Sequence, residues 1–128
     1  MNKIFGVGTD IVNISRIRKN FNTNKKFKNR IFSDKEIEYC ESKSNKIASY
    51  SKRFAAKEAF VKALGTGISK GISFNEISIN NNIYGAPFIE LFGKTKVIFK
   101  SLTNKKNKIY LSLSDEKKYA LAMVVINT

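Results

Sequence analysis

The first apolar pattern along the chain has a period of two. Across residues 4–12, Phe5, Val7, Thr9 and Ile11 share one face while Gly6, Gly8 and Asp10 share the other, which predicts a strand. Asn13 or Ser15 then offers a cap for a short basic helix holding Arg16, Ile17, Arg18 and Lys19. Residues 22–30 are polar and basic, interrupted by Phe27. Ser33 and Glu36, three apart, form a capping box that predicts a helix to about Ser42. The polar stretch 42–46 breaks it, and a longer helix is expected over about 47–64. Gly65 is its natural C-cap. Strands are expected near 73–80 and 87–92, around a turn holding Asn80, Asn81, Asn82 and Gly85. Pro87 at the start of the second strand is tolerated there. A short helical segment around Val97, Ile98 and Leu102 and a terminal hairpin (109–114, turn 115–118, 119–126) complete the reading. Helices and strands mix without regular alternation, so the expected class is α+β, with an antiparallel sheet packed on the long helix.

Length and composition narrow the chemistry. A chain of 128 residues with 42% apolar residues fits one domain, 1–128, and oligomerisation would help so small a core. The net charge of +14 calls for an anionic partner: nucleic acid, membrane, acidic protein or a phosphate-rich small molecule. One cysteine, Cys40, excludes an internal disulfide and a cysteine cluster for zinc. No signal-peptide pattern and no run of about 20 apolar residues is present, so the expected location is the cytoplasm. Histidine is absent, which excludes Ser-His-Asp, Cys-His and HExxH chemistry. A metal would be held by oxygen ligands, which favours a hard cation such as Mg²⁺.

Three places can carry chemistry. Asp10 stands in an apolar strand. It either turns to solvent or caps the next helix, or it faces a ligand across the space left by Gly6 and Gly8. Glu58 is mid-helix with Lys62 one turn on. They form either an exposed ion pair or, if that face is pressed on the sheet, a partly buried carboxylate requiring a cation. The glycine loop 65–71, with Thr66, Ser69 and Lys70, could offer backbone N–H groups to phosphates, although it lacks P-loop spacing. The basic run from Arg16 to Arg30, interleaved with Phe21 and Phe27, is either a solvated face or a docking surface for an acidic partner.

The segment Gly6-Val7-Gly8-Thr9-Asp10-Ile11-Val12, followed by Arg16-Ile17, resembles the first signature of the holo-acyl-carrier-protein synthases. The run from Arg53-Phe54-Ala55-Ala56-Lys57-Glu58 through Lys62 to Gly65-Thr66-Gly67-Ile68 is similar to the second. Further matches, in the family's order, are Arg30-Ile31-Phe32-Ser33, the Gly85-x-Pro87 turn and the strand pair ending Tyr119-Ala120. The resemblance implies an α+β fold, a homotrimer with active sites between subunits, and transfer of phosphopantetheine from coenzyme A to a serine of an acidic acyl carrier protein. It implies Asp10 and Glu58 as Mg²⁺ ligands, and Lys62 as a catalytic and coenzyme A-binding cation. Coenzyme A contacts fall on Arg53, Gly65, Thr66, Gly67 and Pro87, and the carrier-docking region on Arg16, Lys26 and Phe27. Nucleic acid and membrane are then not expected partners. One departure stands out: the family usually has Ser-His in the terminal hairpin, and here Ser114 is followed by Asp115. An acid there bears on nucleotide affinity, with Lys117 or Lys118 as candidate compensation. Two alternatives stay open on sequence grounds: a basic nucleic-acid-binding module and a non-catalytic homologue that only binds carrier protein.

Overall fold

A computed structural model describes residues 3–66, 71–103 and 106–128. Strand β1 (Ile4–Asn13) leads into helix α1 (Ile14–Thr23), whose N-cap is Asn13: its Oδ1 accepts from the Ser15 backbone N–H at 2.9 Å. The polar stretch after it contains a second short helix, α2 (Phe27–Ile31). Helix α3 (Asp34–Glu41) starts at the expected capping box, with Ser33 Oγ accepting from the Glu36 N–H and Glu36 accepting from the Ser33 N–H. Helix α4 (Lys46–Leu64) is followed by a 3₁₀ turn (Phe74–Glu76), β2 (Ile77–Asn81), β3 (Pro87–Leu91), α5 (Gly93–Leu102), β4 (Lys108–Asp115) and β5 (Tyr119–Asn127). The strand expected to begin at 73 thus begins at Ile77, because the 3₁₀ turn occupies its first residues.

The expected antiparallel sheet on the long helix is β1-β5-β4, and β2-β3 forms a second, two-stranded antiparallel sheet. Strand β3 lies against β4 without a ladder. In the larger sheet Ala120, Ala122, Val124 and Ile126 of β5 are all buried, and they pair with β1 so that Gly8 faces Val124 and Asp10 faces Ala122. This inner face packs on α4, whose Ala55, Ala56, Ala59, Phe60, Ala63 and Leu64 are buried. Small residues on both surfaces let helix and sheet approach closely.

The glycines of β1 have a different purpose from the one the sequence suggested. A β-carbon at Gly6 would collide with the Ala63 carbonyl oxygen, and one at Gly8 with that of Ala59. The backbone of α4, not a ligand, fills the space they leave. The close contact brings α4 against the strand that carries Asp10.

A second core closes the other side. Phe32, Cys40 and Tyr50 are buried there, with Phe21 packed at 4.6 Å from Tyr50 and 5.3 Å from Phe27 between ring centroids. Phe21 and Phe27 are both half-buried, packed against this cluster. Between the two cores lies a fully buried ion pair. Lys57 Nζ donates to Glu36 Oε1 at 2.7 Å, to the Phe74 carbonyl at 2.8 Å and to the Ile77 carbonyl, while Glu36 Oε2 accepts from the Ile79 N–H. Burial lowers the Lys57 pKa to about 8, against the raising effect of Glu36.

Candidate functional site

Helix α4 carries two groups of polar side chains, one at each end. At its C-terminal end Glu58 is half-buried beside Asp10, and Arg16 reaches the same region from α1. Burial first, and the Asp10 charge second, push the Glu58 carboxyl above its ordinary value; Lys62 and Arg16 oppose them. Lys62 is not the helix-surface partner of Glu58. It crosses to β1, where its Nζ donates to Asp10 Oδ1 at 2.9 Å and to the Thr9 carbonyl at 3.0 Å. The structure thus brings together Asp10 of β1, Arg16 of α1, and Glu58 and Lys62 of α4. Asp10 shares the inner face with Gly8 and Ala122, and its side chain is 15% exposed.

This donor set suits Mg²⁺. Two carboxylates share one region, and the Asp10 charge disfavours that of Glu58. Among the described residues no three His, Cys, Asp or Glu side chains converge. A hard cation that takes one or two carboxylates and completes its shell with phosphate and water needs no more than that.

Gly65 ends α4 in the left-handed region, φ 84°, where glycine alone is unstrained. Its N–H donates to the Val61 carbonyl at 3.1 Å, so this amide serves the helix cap and is not available to a phosphate. Thr66 is half-buried. Gly67, Ile68, Ser69 and Lys70 lie outside the described residues.

At the N-terminal end of α4 is a cleft of about 560 Å³. Lys43, Lys52 and Arg53 line it with Asn81, Pro87 and Asp115. Arg53 is buried, donating from Nη1 to the Ser49 carbonyl and hydroxyl (3.2 and 3.1 Å) and from Nη2 to Asn81 Oδ1 at 2.5 Å. Its guanidinium and the Lys43 ammonium both lie over the Tyr39 ring, 4.3 and 4.5 Å from its centroid. Pro87 and Gly85 bring the β2-β3 hairpin to the same wall. Asp115 occupies the end of β4, and its partner is Lys52 at 3.2 Å, not Lys117 or Lys118.

Sequence reasoning placed Arg53 and Pro87 here but missed Lys43 and Lys52. A signal for Lys52 was present. Asn45, Ser49, Lys52 and Arg53 recur at i, i+4, i+7 and i+8, a polar stripe on the first half of an otherwise apolar helix. The expected carrier-docking residues are separate from this cleft. Arg16 and Lys26 are exposed, on α1 and just before α2, and Phe27 presents the open edge of the aromatic cluster.

A family model described as the 4'-phosphopantetheinyl transferase superfamily matches residues 6–124. The chain is 46% identical over 131 residues to a holo-[acyl-carrier-protein] synthase of Ehrlichia chaffeensis, covering 98% of each. Among solved structures it is similar to a holo-ACP-synthase from Plasmodium yoelii, with a TM-score of 0.85 at 34% identity, covering 99% of this chain and 97% of that one. It is also similar to a holo-(acyl-carrier-protein) synthase from Bacillus anthracis in complex with CoA (3',5'-ADP), with a TM-score of 0.78 at 34% identity, covering 98% and 97%.

Proposed function

Because the chain belongs to the 4'-phosphopantetheinyl transferase superfamily, we propose an assignment of its reaction to particular residues. The enzyme transfers the 4'-phosphopantetheine group of coenzyme A to a serine of apo acyl carrier protein in fatty acid biosynthesis, releasing adenosine 3',5'-bisphosphate. The whole chain, 1–128, serves as one transferase domain.

Asp10 and Glu58 would hold Mg²⁺, which when bound neutralises the charge that grows on the pyrophosphate as it breaks. Lys62, held by Asp10 and the Thr9 carbonyl, adds a fixed positive charge beside the same oxygens. The serine oxygen forms its bond to the β-phosphorus as the bridging P–O bond breaks toward the departing bisphosphate. Glu58 accepts the serine proton, directly or through a water it holds. The carrier protein, acidic in this reading, docks on Arg16 and Lys26 with Phe27 as the apolar contact. The net charge of +14 supports that partner.

The nucleotide end of coenzyme A takes the cationic cleft of Lys43 and Arg53, with Pro87 at its wall; Gly65, Thr66 and Gly67 remain coenzyme A contacts of the reading, Gly65 by shaping the turn and not by its amide. The geometry of α4 bears on how both ends are used at once. Arg53 and Lys62 are nine residues apart, about 13 Å along the axis and about half a turn around it. One copy therefore presents its carboxylates and its cleft on opposite sides of the helix. The outer face of the larger sheet is apolar and open, with Val7, Ile11, Tyr110, Leu121 and Met123 exposed. Neighbouring copies covering that face as a homotrimer would bring the carboxylate end of one copy to the cleft of the next. No helix of the described residues is long and apolar enough to cross a membrane, and the reading places the enzyme in the cytoplasm with its substrates.

The observation that carries the assignment is the convergence of Asp10 from β1 with Glu58 and Lys62 from α4. The test is intact-mass spectrometry of apo carrier protein incubated with coenzyme A, Mg²⁺ and enzyme. The wild-type chain adds one phosphopantetheine and loses this activity in EDTA; Asp10→Asn and Glu58→Gln lose at least about a hundredfold in rate. Near-normal transfer by either variant removes the metal assignment.

A further inference from the structure

The cleft contains one acid among its cations, and that acid is committed. Lys52 Nζ lies 3.2 Å from Asp115 Oδ1, with side chains 30% and 34% exposed. The other two cations are differently held: Lys43 rests on Tyr39, and Arg53 is fixed by Ser49 and Asn81. Among the described residues of the cleft, Lys52 alone is bound to a carboxylate.

We propose that Lys52 is a phosphate-reading residue of this cleft and that Asp115 is its latch, holding the ammonium until a phosphomonoester dianion displaces the carboxylate. The inference rests on the reading of coenzyme A as substrate and adds two residues to it. A pair this exposed is screened and weakly held, so it opens at little cost. Asp115 is the weaker competitor, since it offers Lys52 one negative charge and a phosphomonoester offers nearly two. Of the two members Lys52 is the one that moves. It ends a flexible four-carbon stem, whereas Asp115 is the last residue of β4, paired with Ala120 of β5.

The choice of phosphate follows from chemistry and from the helix. The diphosphate is the reacting group and belongs with Asp10, Glu58 and Lys62. The anion left for a cleft on the opposite side of α4 is the ribose phosphomonoester, which coenzyme A and the bisphosphate product both carry. The latch therefore acts twice in a turnover. Asp115 raises the concentration of coenzyme A needed to fill the cleft, and it recaptures Lys52 as the product departs.

The test is calorimetric titration of the native assembly with adenosine 3',5'-bisphosphate and with 3'-dephospho-coenzyme A, at fixed ionic strength. Asp115→Asn frees Lys52 and removes the competing charge, so it tightens bisphosphate binding about two- to fivefold. Lys52→Gln weakens it about tenfold, and Lys52→Gln/Asp115→Asn resembles Lys52→Gln. Dephospho-coenzyme A affinity changes less than twofold in all three. The proposal fails if Asp115→Asn leaves bisphosphate affinity unchanged or lowers it. It fails equally if the double variant keeps the gain, since Asp115 would then act through its own charge. It also fails if dephospho-coenzyme A follows the bisphosphate. Melting temperatures within about 3 °C of wild type exclude an unfolded cleft as the cause; a variant outside that range is replaced by Lys52→Met or Asp115→Ser. Failure of the wild-type chain to modify carrier protein would overturn the transferase assignment, and these bisphosphate titrations would still decide the latch.

Discussion

Replacing Lys57 with methionine removes the ammonium that joins α3, α4 and β2. The side chain is wholly buried and donates three hydrogen bonds, to Glu36 and to the carbonyls of Phe74 and Ile77. Methionine fills much of the same volume, so the packing term is small. The cost lies in what stays behind. Glu36 is left as a buried carboxylate with only the N–H groups of Ser33 and Ile79, and two carbonyls lose a donor. Breaking one side of a buried pair costs about 3–5 kcal/mol. A chain this size has on the order of 5–15 kcal/mol in total, so Lys57→Met consumes a large fraction of it. The melting temperature should fall by about 12–20 °C, at about 4 °C per kcal/mol. Urea unfolding followed by circular dichroism, at one fixed protein concentration, measures the loss. Glu36→Gln/Lys57→Met removes both charges and should regain about half of it. A Lys57→Met protein within about 1 kcal/mol of wild type, or a double variant no more stable than the single, would refute the account of this junction.

Gly8→Ala forces a β-carbon into the Ala59 carbonyl and should destabilise by about 3 kcal/mol or more, read as a lower urea midpoint. Met123→Glu places a charge in the open apolar face and should shift the sedimentation coefficient from that of the proposed trimer to that of a monomer without unfolding the chain. Glu41 is held below its ordinary value of 4.5, first by the Tyr50 hydroxyl and then by Lys46 and Lys28. Its contribution is therefore present above that value and lost as pH falls through the lower folded value. Glu41→Gln should lower stability at pH 7, change little once pH has fallen below the folded value, and so flatten the acid side of the stability profile.

Local signals carried much of the fold. The capping box at Ser33, the Asn13 cap, the Gly65 terminus and the length of α4 all follow from residues within a few positions of each other. Local pattern could not supply the identity of neighbours. Glu36 reads as half of a capping box and nothing local singles out Lys57, yet 21 positions apart they form one buried pair. Lys62 lies one turn from Glu58 in sequence, but its closer acid is Asp10 on β1. Gly6 and Gly8 announce that something approaches β1, and only the packed helix says what. The aromatic residues of the basic run show the same limit: Phe21 is half-buried because Tyr50, from another helix, is beside it. Asp115 was visible as a departure from the resemblance, while its partner Lys52 required the fold.

The unbroken run of α4 from Lys46 to Leu64 also sets what lengths the gene can carry. Each inserted residue turns a helix by about 100° and lengthens it by about 1.5 Å. One codon added between Arg53 and Glu58 would interrupt the second sequence signature and turn the cleft cations toward the core, or the carboxylate away from Asp10. The same codon added in the turn at residues 82–86 would be absorbed at the surface. Tolerance to insertion in this enzyme should therefore follow helical phase, and the spacing from Arg53 to Glu58 is the one that cannot drift.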